Sequence, residues 1–295
     1  MDKNLMGVFA PISTPFTSTY EVDYKGLEKN LAAYAAAGIK GFLALGSNGE
    51  NKSLTNEEKL KVLEVICKGK APGQIIMAGC IFESTFETID MAKKMEAFKP
   101  DYLTLLPPCY FKSQMTDDAI YRYFSDVADA VNTPCLVYNA PQFAAGLTLS
   151  TGLLKRCAAH GNIVGVKDSS SGNMESILFA VRDIFNVMSG TINNFFQCMT
   201  MGGVGGVLSF ANTFPRVAVE LYGLLAQKKY AEAIALYDRL LQINKIVSGK
   251  GGVSAVKYVM DLAGMVGGEA RLPLLPISDA DKADIKKKLA AEGLI

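Results

Sequence analysis

The sequence predicts a single α/β fold, a (β/α)8 barrel followed by a helical extension. Eight short apolar runs recur over residues 7–209, separated by segments whose apolar positions fall three and four apart, the pattern of buried parallel strands with covering helices. A length of 295 residues suits one barrel core. An open doubly wound sheet would usually carry fewer strands.

In order, the predicted strands are GVFAPI (7–12), KGFLALG (40–46), QIIMAG (74–79), DYLTLLP (101–107), PCLVYNA (134–140), NIVGVKD (162–168), FNVMSG (185–190) and GGVGGVLS (202–209). Helical period covers 24–37, 56–68, 84–98 and 117–131, and TNEEKL sets the second of these behind Thr55 with Glu58 three residues on, a capping box. Beyond Asn212 the strand signal stops, and 214–227, 229–247, 252–264 and 279–291 all read as helix. The barrel is therefore assigned to 1–225 and a helical appendage to 226–295. No Ser/Gly/Pro-rich linker divides them, so the appendage is expected to pack on the barrel.

Thirty Lys and Arg against 29 Asp and Glu leave no field that would favour nucleic acid or an anionic membrane, which points to a small-molecule substrate. The opening MDKNLMGVFAPISTPF has no secretory-signal pattern, and no run reaches the length of a membrane span. Six cysteines without CxxC or metal-ligand spacing read as reduced thiols of a cytoplasmic protein. The single histidine, His160 in AAHGN, leaves little room for a zinc site or a Ser-His-Asp triad, and its polar turn predicts a solvent-facing side chain. No phosphate-cradling motif is present; MGGVGGV (201–207) runs into a strand and not a helix, so no nucleotide cofactor is expected.

Catalytic groups of such barrels stand at the C-terminal ends of strands. Lys167 ends the run Ile163–Val166 there, where apolar neighbours would strip water from its ammonium form and favour the nucleophilic amine. Its position alone fits better a strand-end lysine that snorkels to Asp168 or to a helix carbonyl. Tyr138 ends the neighbouring strand and can relay protons, although an aromatic cap on the core would look the same. Gly46, Ser47, Asn48, Gly49 and Glu50 form a tight loop whose amides and hydroxyl could hold a carboxylate. Tyr110 lies on a loop at the same face.

Together these positions resemble the family of dihydrodipicolinate synthase and N-acetylneuraminate lyase. The resemblance is carried by APISTPF with Val22 and Asp23, GSNGE, PPCYF, YNAP at 138–141 and GVKDSS at 165–170, in order over nearly the whole chain. It implies an imine between Lys167 and pyruvate or another 2-oxo acid, with Tyr138 as proton shuttle and no metal or nucleotide. It implies that Ser47 and Asn48 lie on the loop that holds the keto-acid carboxylate, and that Ser169 lines the pocket. Tyr110 matches a tyrosine supplied to the relay by a neighbouring subunit of a homotetramer, a dimer of dimers. Where synthases of this family carry an arginine after YNxP, this chain has QFAAG with Phe143 and no basic residue nearby in sequence, and its loop has Ser and Asn in place of two threonines. LGSNGE, AGCIFEST, PCYFKSQM and NIVGVKDS look closer to 4-hydroxy-2-oxoglutarate aldolase, which would release pyruvate and glyoxylate; a dihydrodipicolinate synthase or a sugar-acid aldolase are the alternatives.

Overall fold

Each apolar run becomes a strand because both of its faces find cover, one inside a closed barrel and the other beneath helices. The computed structural model describes residues 1–295. The strands are β1 (Gly7–Ala10), β2 (Gly41–Ala44), β3 (Ile75–Gly79), β4 (Tyr102–Leu105), β5 (Cys135–Asn139), β6 (Ile163–Asp168), β7 (Asn186–Ser189) and β8 (Gly205–Val207). All pair in parallel in chain order, and β8 closes on β1 with Gly7 opposite Gly205 and Phe9 opposite Val207. At Gly205 the closure needs the missing side chain, since a Cβ there would stand 2.3 Å from the Gly7 carbonyl oxygen.

The helices that return the chain are α1 (Tyr24–Ala36), α2 (Asn56–Gly69), α3 (Thr85–Glu96), α4 (Asp117–Asp129), α5 (Thr151–Ala158), α6 (Met174–Val181), α7 (Phe195–Thr200) and α8 (Pro215–Ala226). Side-chain hydroxyls fix several starts. Thr55 accepts the Glu58 amide at 3.2 Å while the Glu58 carboxylate accepts the Thr55 amide at 2.9 Å, so the capping box forms as expected. Three further helices follow, α9 (Tyr230–Ser248), α10 (Gly252–Leu262) and α11 (Asp279–Ala291). No helix is long and apolar enough to cross a membrane.

Strand alternation sorts the buried side chains into separate layers. Leu103, Val137, Val166 and Val187 face outward into the large cluster shared with the helices. Phe9, Leu43, Met77, Tyr102, Leu136, Met188 and Val207 fill the barrel's lower interior with Leu5 and Val204. Above them, Tyr138 packs with Ile81, Leu106, Ala140 and Ala144. The bottom of the barrel is thus plugged, and only its C-terminal mouth can admit a ligand.

His160 departs from its expected exposure. It lies in the turn before β6, but its side chain is largely covered, accepting the Asn162 amide on Nδ1 at 3.1 Å and standing 3.2 Å from Asp129 on Nε2. A turn composition reads as solvent-facing, whereas here the imidazole closes the turn against α4. It sits at the opposite end of β6 from Lys167.

The chain after α10 returns to the barrel through Arg271. Its guanidinium forks onto Glu58 at 2.6 and 2.8 Å, and it also donates to the carbonyls of Tyr20 and Ser53. Arg271→Ala is expected to lose about 2–4 kcal/mol at neutral pH, read as a lower urea midpoint at constant slope. The guanidinium holds the Glu58 carboxyl below its ordinary range. A depressed carboxyl stabilises fully above the unfolded value and loses that contribution as pH falls through the folded one. The gap between wild type and variant should therefore narrow below about pH 4.

Candidate active site

Two adjacent strands build the centre of the site. In the β5–β6 pair, Tyr138 lies opposite Lys167 and Asn139 opposite Asp168. Alternation sends the first pair into the mouth and the second outward. Lys167 is 4 % exposed and Tyr138 2 %. The Lys167 Nζ stands 3.9 Å from the centroid of the Tyr138 ring, and no carboxylate or carbonyl pairs with it. Of the two readings left open by the sequence, a lysine tied to Asp168 is excluded by this geometry: Asp168 points to the other face.

The outward pair fixes the register of the inward one. Asp168 Oδ1 accepts Asn139 Nδ2 and Ser170 Oγ, each at 2.7 Å, while Asn139 Oδ1 accepts the Leu149 amide at 3.0 Å. Burial pushes the Asp168 carboxyl up, and these donors oppose the shift. One step of slip would separate Asn139 from Asp168 and reverse which faces the strands present. Ser169 extends the ladder by donating its amide to the Asn139 carbonyl at 2.8 Å, and its Oγ reaches the Tyr138 hydroxyl at 3.5 Å. Lys167, Tyr138 and Ser169 are therefore brought together as the sequence suggested.

The GSNGE loop forms a turn at the end of β2. The Gly49 amide donates to the Gly46 carbonyl at 3.0 Å and the Glu50 amide to the Ser47 carbonyl at 3.1 Å. Gly49 also passes close to the segment that follows β1, where a Cβ would lie 3.0 Å from the Ile12 carbonyl oxygen. The amides of Ser47 and Asn48 donate to no group of the chain, leaving two adjacent N–H donors available to an anion. The Asn48 side chain is engaged elsewhere, its Oδ1 accepting Ser209 Oγ at 2.8 Å from the loop after β8.

Above the mouth lies a cavity of about 470 Å³ whose wall includes Ser47, Lys52, Ile81, Leu106, Phe143, Val253 and Leu274. Ile81 and Leu106 line this space and also pack with Tyr138, so a single layer of side chains joins the cavity wall to the cluster around Tyr138. Two of its features were missed in the sequence. Lys52 supplies a cation that no residue near Phe143 in sequence offers, its Nζ held by the Ile81 carbonyl at 3.3 Å and loosely by Glu83 at 3.8 Å. Val253 and Leu274 come from the C-terminal extension, which contributes wall to the cavity as well as packing on the barrel.

Tyr110 is not part of this cluster. Its loop is held by Glu83, whose carboxylate accepts the Cys109 and Tyr110 amides at 2.8 and 3.0 Å, but the residue is 82 % exposed at the rim. Nothing within one chain brings it to Lys167.

A family model described as the dihydrodipicolinate synthetase family matches residues 4–292. The chain belongs to that family. Among its relatives in the family, 4-hydroxy-tetrahydrodipicolinate synthase of Gluconacetobacter diazotrophicus is 28 % identical, over 98 % of this chain and 97 % of its own length. An uncharacterized DapA-like lyase of Thermococcus onnurineus is 30 % identical, with 97 % and 98 % covered. Of solved family structures, YagE, a prophage protein of E. coli K12 in complex with pyruvate, superposes with a TM-score of 0.92 at 26 % identity over 98 % of this chain and 99 % of that one. The chloride-inhibited dihydrodipicolinate synthase of Acinetobacter baumannii complexed with pyruvate gives 0.92 at 27 % identity, again with 98 % and 99 % covered. As a member of this family the chain is a pyruvate-dependent class I aldolase, a carbon–carbon lyase.

Proposed function

We propose that the protein cleaves 4-hydroxy-2-oxoglutarate to pyruvate and glyoxylate through an imine on Lys167. The observation that carries the Schiff-base reading is a buried amine at the C-terminal end of β6, paired with no carboxylate and lying on the face of Tyr138. That two similar structures hold pyruvate supports a 2-oxo acid as the group bound there.

In this mechanism the Lys167 amine adds to the C2 carbonyl and water leaves, giving an iminium that serves as the electron sink. The Ser47 and Asn48 amides hold the C1 carboxylate. Tyr138, its hydroxyl oriented by Ser169, takes the proton of the C4 hydroxyl. The C3–C4 bond then breaks, its electron pair moves into the iminium to form an enamine, and glyoxylate departs. Protonation at C3 and hydrolysis return pyruvate and the free amine. The iminium supplies the polarisation that a metal would otherwise provide, so no metal or nucleotide enters the cycle. Tyr110, at the rim, is assigned to a neighbouring subunit's proton relay within a homotetramer.

A second reading, condensation of pyruvate with aspartate semialdehyde, is favoured by the names of the curated relatives. Against it stands Phe143, at the place where the synthases' arginine is expected, on the cavity wall. Lys52 on the same wall can meet a carboxylate carried by either aldehyde. Pyruvate release from 4-hydroxy-2-oxoglutarate, followed by a coupled dehydrogenase, is the expected activity of the purified protein. Turnover only in the condensation with aspartate semialdehyde would replace the first reading by the second.

A further inference from the structure

We infer that Lys257, outside the barrel on α10, is a positioning residue for the keto-acid carboxylate site: it anchors Glu50, and through Glu50 it sets the direction of the two free amides in the 46–50 loop. The inference rests on the reading of that loop given above.

The loop is bracketed by two non-glycine residues in the left-handed region, Leu45 at φ 57° and Glu50 at φ 52°. Such conformations persist where the surroundings over-determine them. Here the surroundings of Glu50 are an ion pair with almost no solvent. Lys257 Nζ pairs with Glu50 Oε1, both side chains being 1 % exposed or less. The other carboxylate oxygen accepts the Arg271 amide at 2.8 Å. Lys257 is itself fixed from two further sides, donating to the Glu269 carbonyl at 2.6 Å and lying 4.3 Å over the Phe16 ring. Burial pushes the Lys257 ammonium below the ordinary lysine range, and the Glu50 charge opposes that shift.

Peptide geometry carries the anchor to the amides. In a trans peptide the C=O and the following N–H point in opposite directions. The Ser47 carbonyl accepts the Glu50 amide, so the Asn48 N–H on the same plane must point away from Glu50. The Gly46 carbonyl accepts the Gly49 amide, which orients the Ser47 N–H in the same manner. Moving Glu50 therefore turns the planes that bear both donors. A buried ion pair adds little net stability over an apolar replacement, whereas it does hold one geometry against alternatives.

The test compares Lys257→Met, Glu50→Gln, the double variant and Lys257→Arg by two readouts: melting temperature, and the pyruvate concentration that gives half-maximal borohydride trapping on Lys167, measured by intact mass. Either single variant is expected to melt lower, by about 10 °C for Lys257→Met, and to need at least about tenfold more pyruvate for half trapping. The double variant, which leaves no orphan charge, should regain most of the melting temperature but not the pyruvate affinity. Lys257→Arg should restore affinity to within about threefold. If Lys257→Met does not fold, the double variant supplies the same readout. Half-trapping concentrations within twofold of wild type, or recovery of affinity in step with melting temperature in the double variant, would overturn the inference while leaving the Schiff base intact. Absence of any adduct in the wild-type protein would overturn the Schiff-base reading and this inference with it.

Discussion

Lys167→Ala is expected to reduce kcat by a factor on the order of 10⁵ and to abolish the mass increase seen with pyruvate and borohydride. The size follows from the proposed role, in which the lysine supplies both the nucleophile and the electron sink: removing a nucleophile that works as part of a unit costs about as much as removing the unit. A merely structural lysine would behave otherwise. Its Nζ has no acceptor in the chain, only the face of the Tyr138 ring, so no hydrogen bond or ion pair of the fold depends on it. Lys167→Met, which keeps the bulk and removes the unpaired polar group, should be as inactive as the alanine variant yet unfold at a temperature equal to or above that of wild type. A stable variant without activity separates the chemical role from a packing role. Residual turnover above about a hundredth of wild type would exclude a covalent step at this residue.

Tyr138→Phe is the second large effect. It keeps the ring on which Lys167 rests and the contacts with Ile81, Leu106 and Ala140, and it deletes only the hydroxyl that Ser169 reaches. Loss of the general base for C–C cleavage should lower kcat by roughly 10²–10⁴-fold. Pyruvate should still be trapped at saturation, more slowly, because the amine and the loop amides remain. The pair of outcomes, slow turnover with an intact adduct, assigns the hydroxyl to proton transfer and not to imine formation alone. Turnover within fivefold of wild type would leave Tyr138 as an aromatic cap on the barrel.

The parts of this molecule that could be read from its sequence are those written in local chemistry. Apolar runs such as CLVYN and IVGVKD are short, continuous and flanked by turn residues, which is what a strand covered on both faces requires. Thr55 and Glu58 state a helix start within four residues. The positions of Lys167 and Tyr138 at strand ends were legible for the same reason, because the barrel rule turns the end of a run into a place in space. What stayed hidden depends on residues far apart in the chain. Lys52 reaches the cavity wall only once β2 and β3 are side by side, and Leu274 only once the extension has folded back. His160 was misjudged because a turn's composition does not reveal which helix it lies against. The outward bond between Asn139 and Asp168 needs the register of two strands before it can be seen at all.

The pairing of Glu50 with Lys257 also has a consequence in time. The loop leaves the ribosome long before its cation does: at about 5–20 residues per second, the intervening chain takes about 10–40 s to synthesise. During that interval the growing polypeptide comes to hold Lys167, Tyr138 and every strand, while Glu50 waits without its counter-ion. A nascent chain arrested before α10 would thus hold Lys167 and Tyr138 while Glu50 still lacks the ion pair inferred to fix the 46–50 loop. On the positioning role inferred for Lys257, a helix made after the whole barrel completes a loop at its second strand, so the keto-acid site takes its final form only once α10 has been translated.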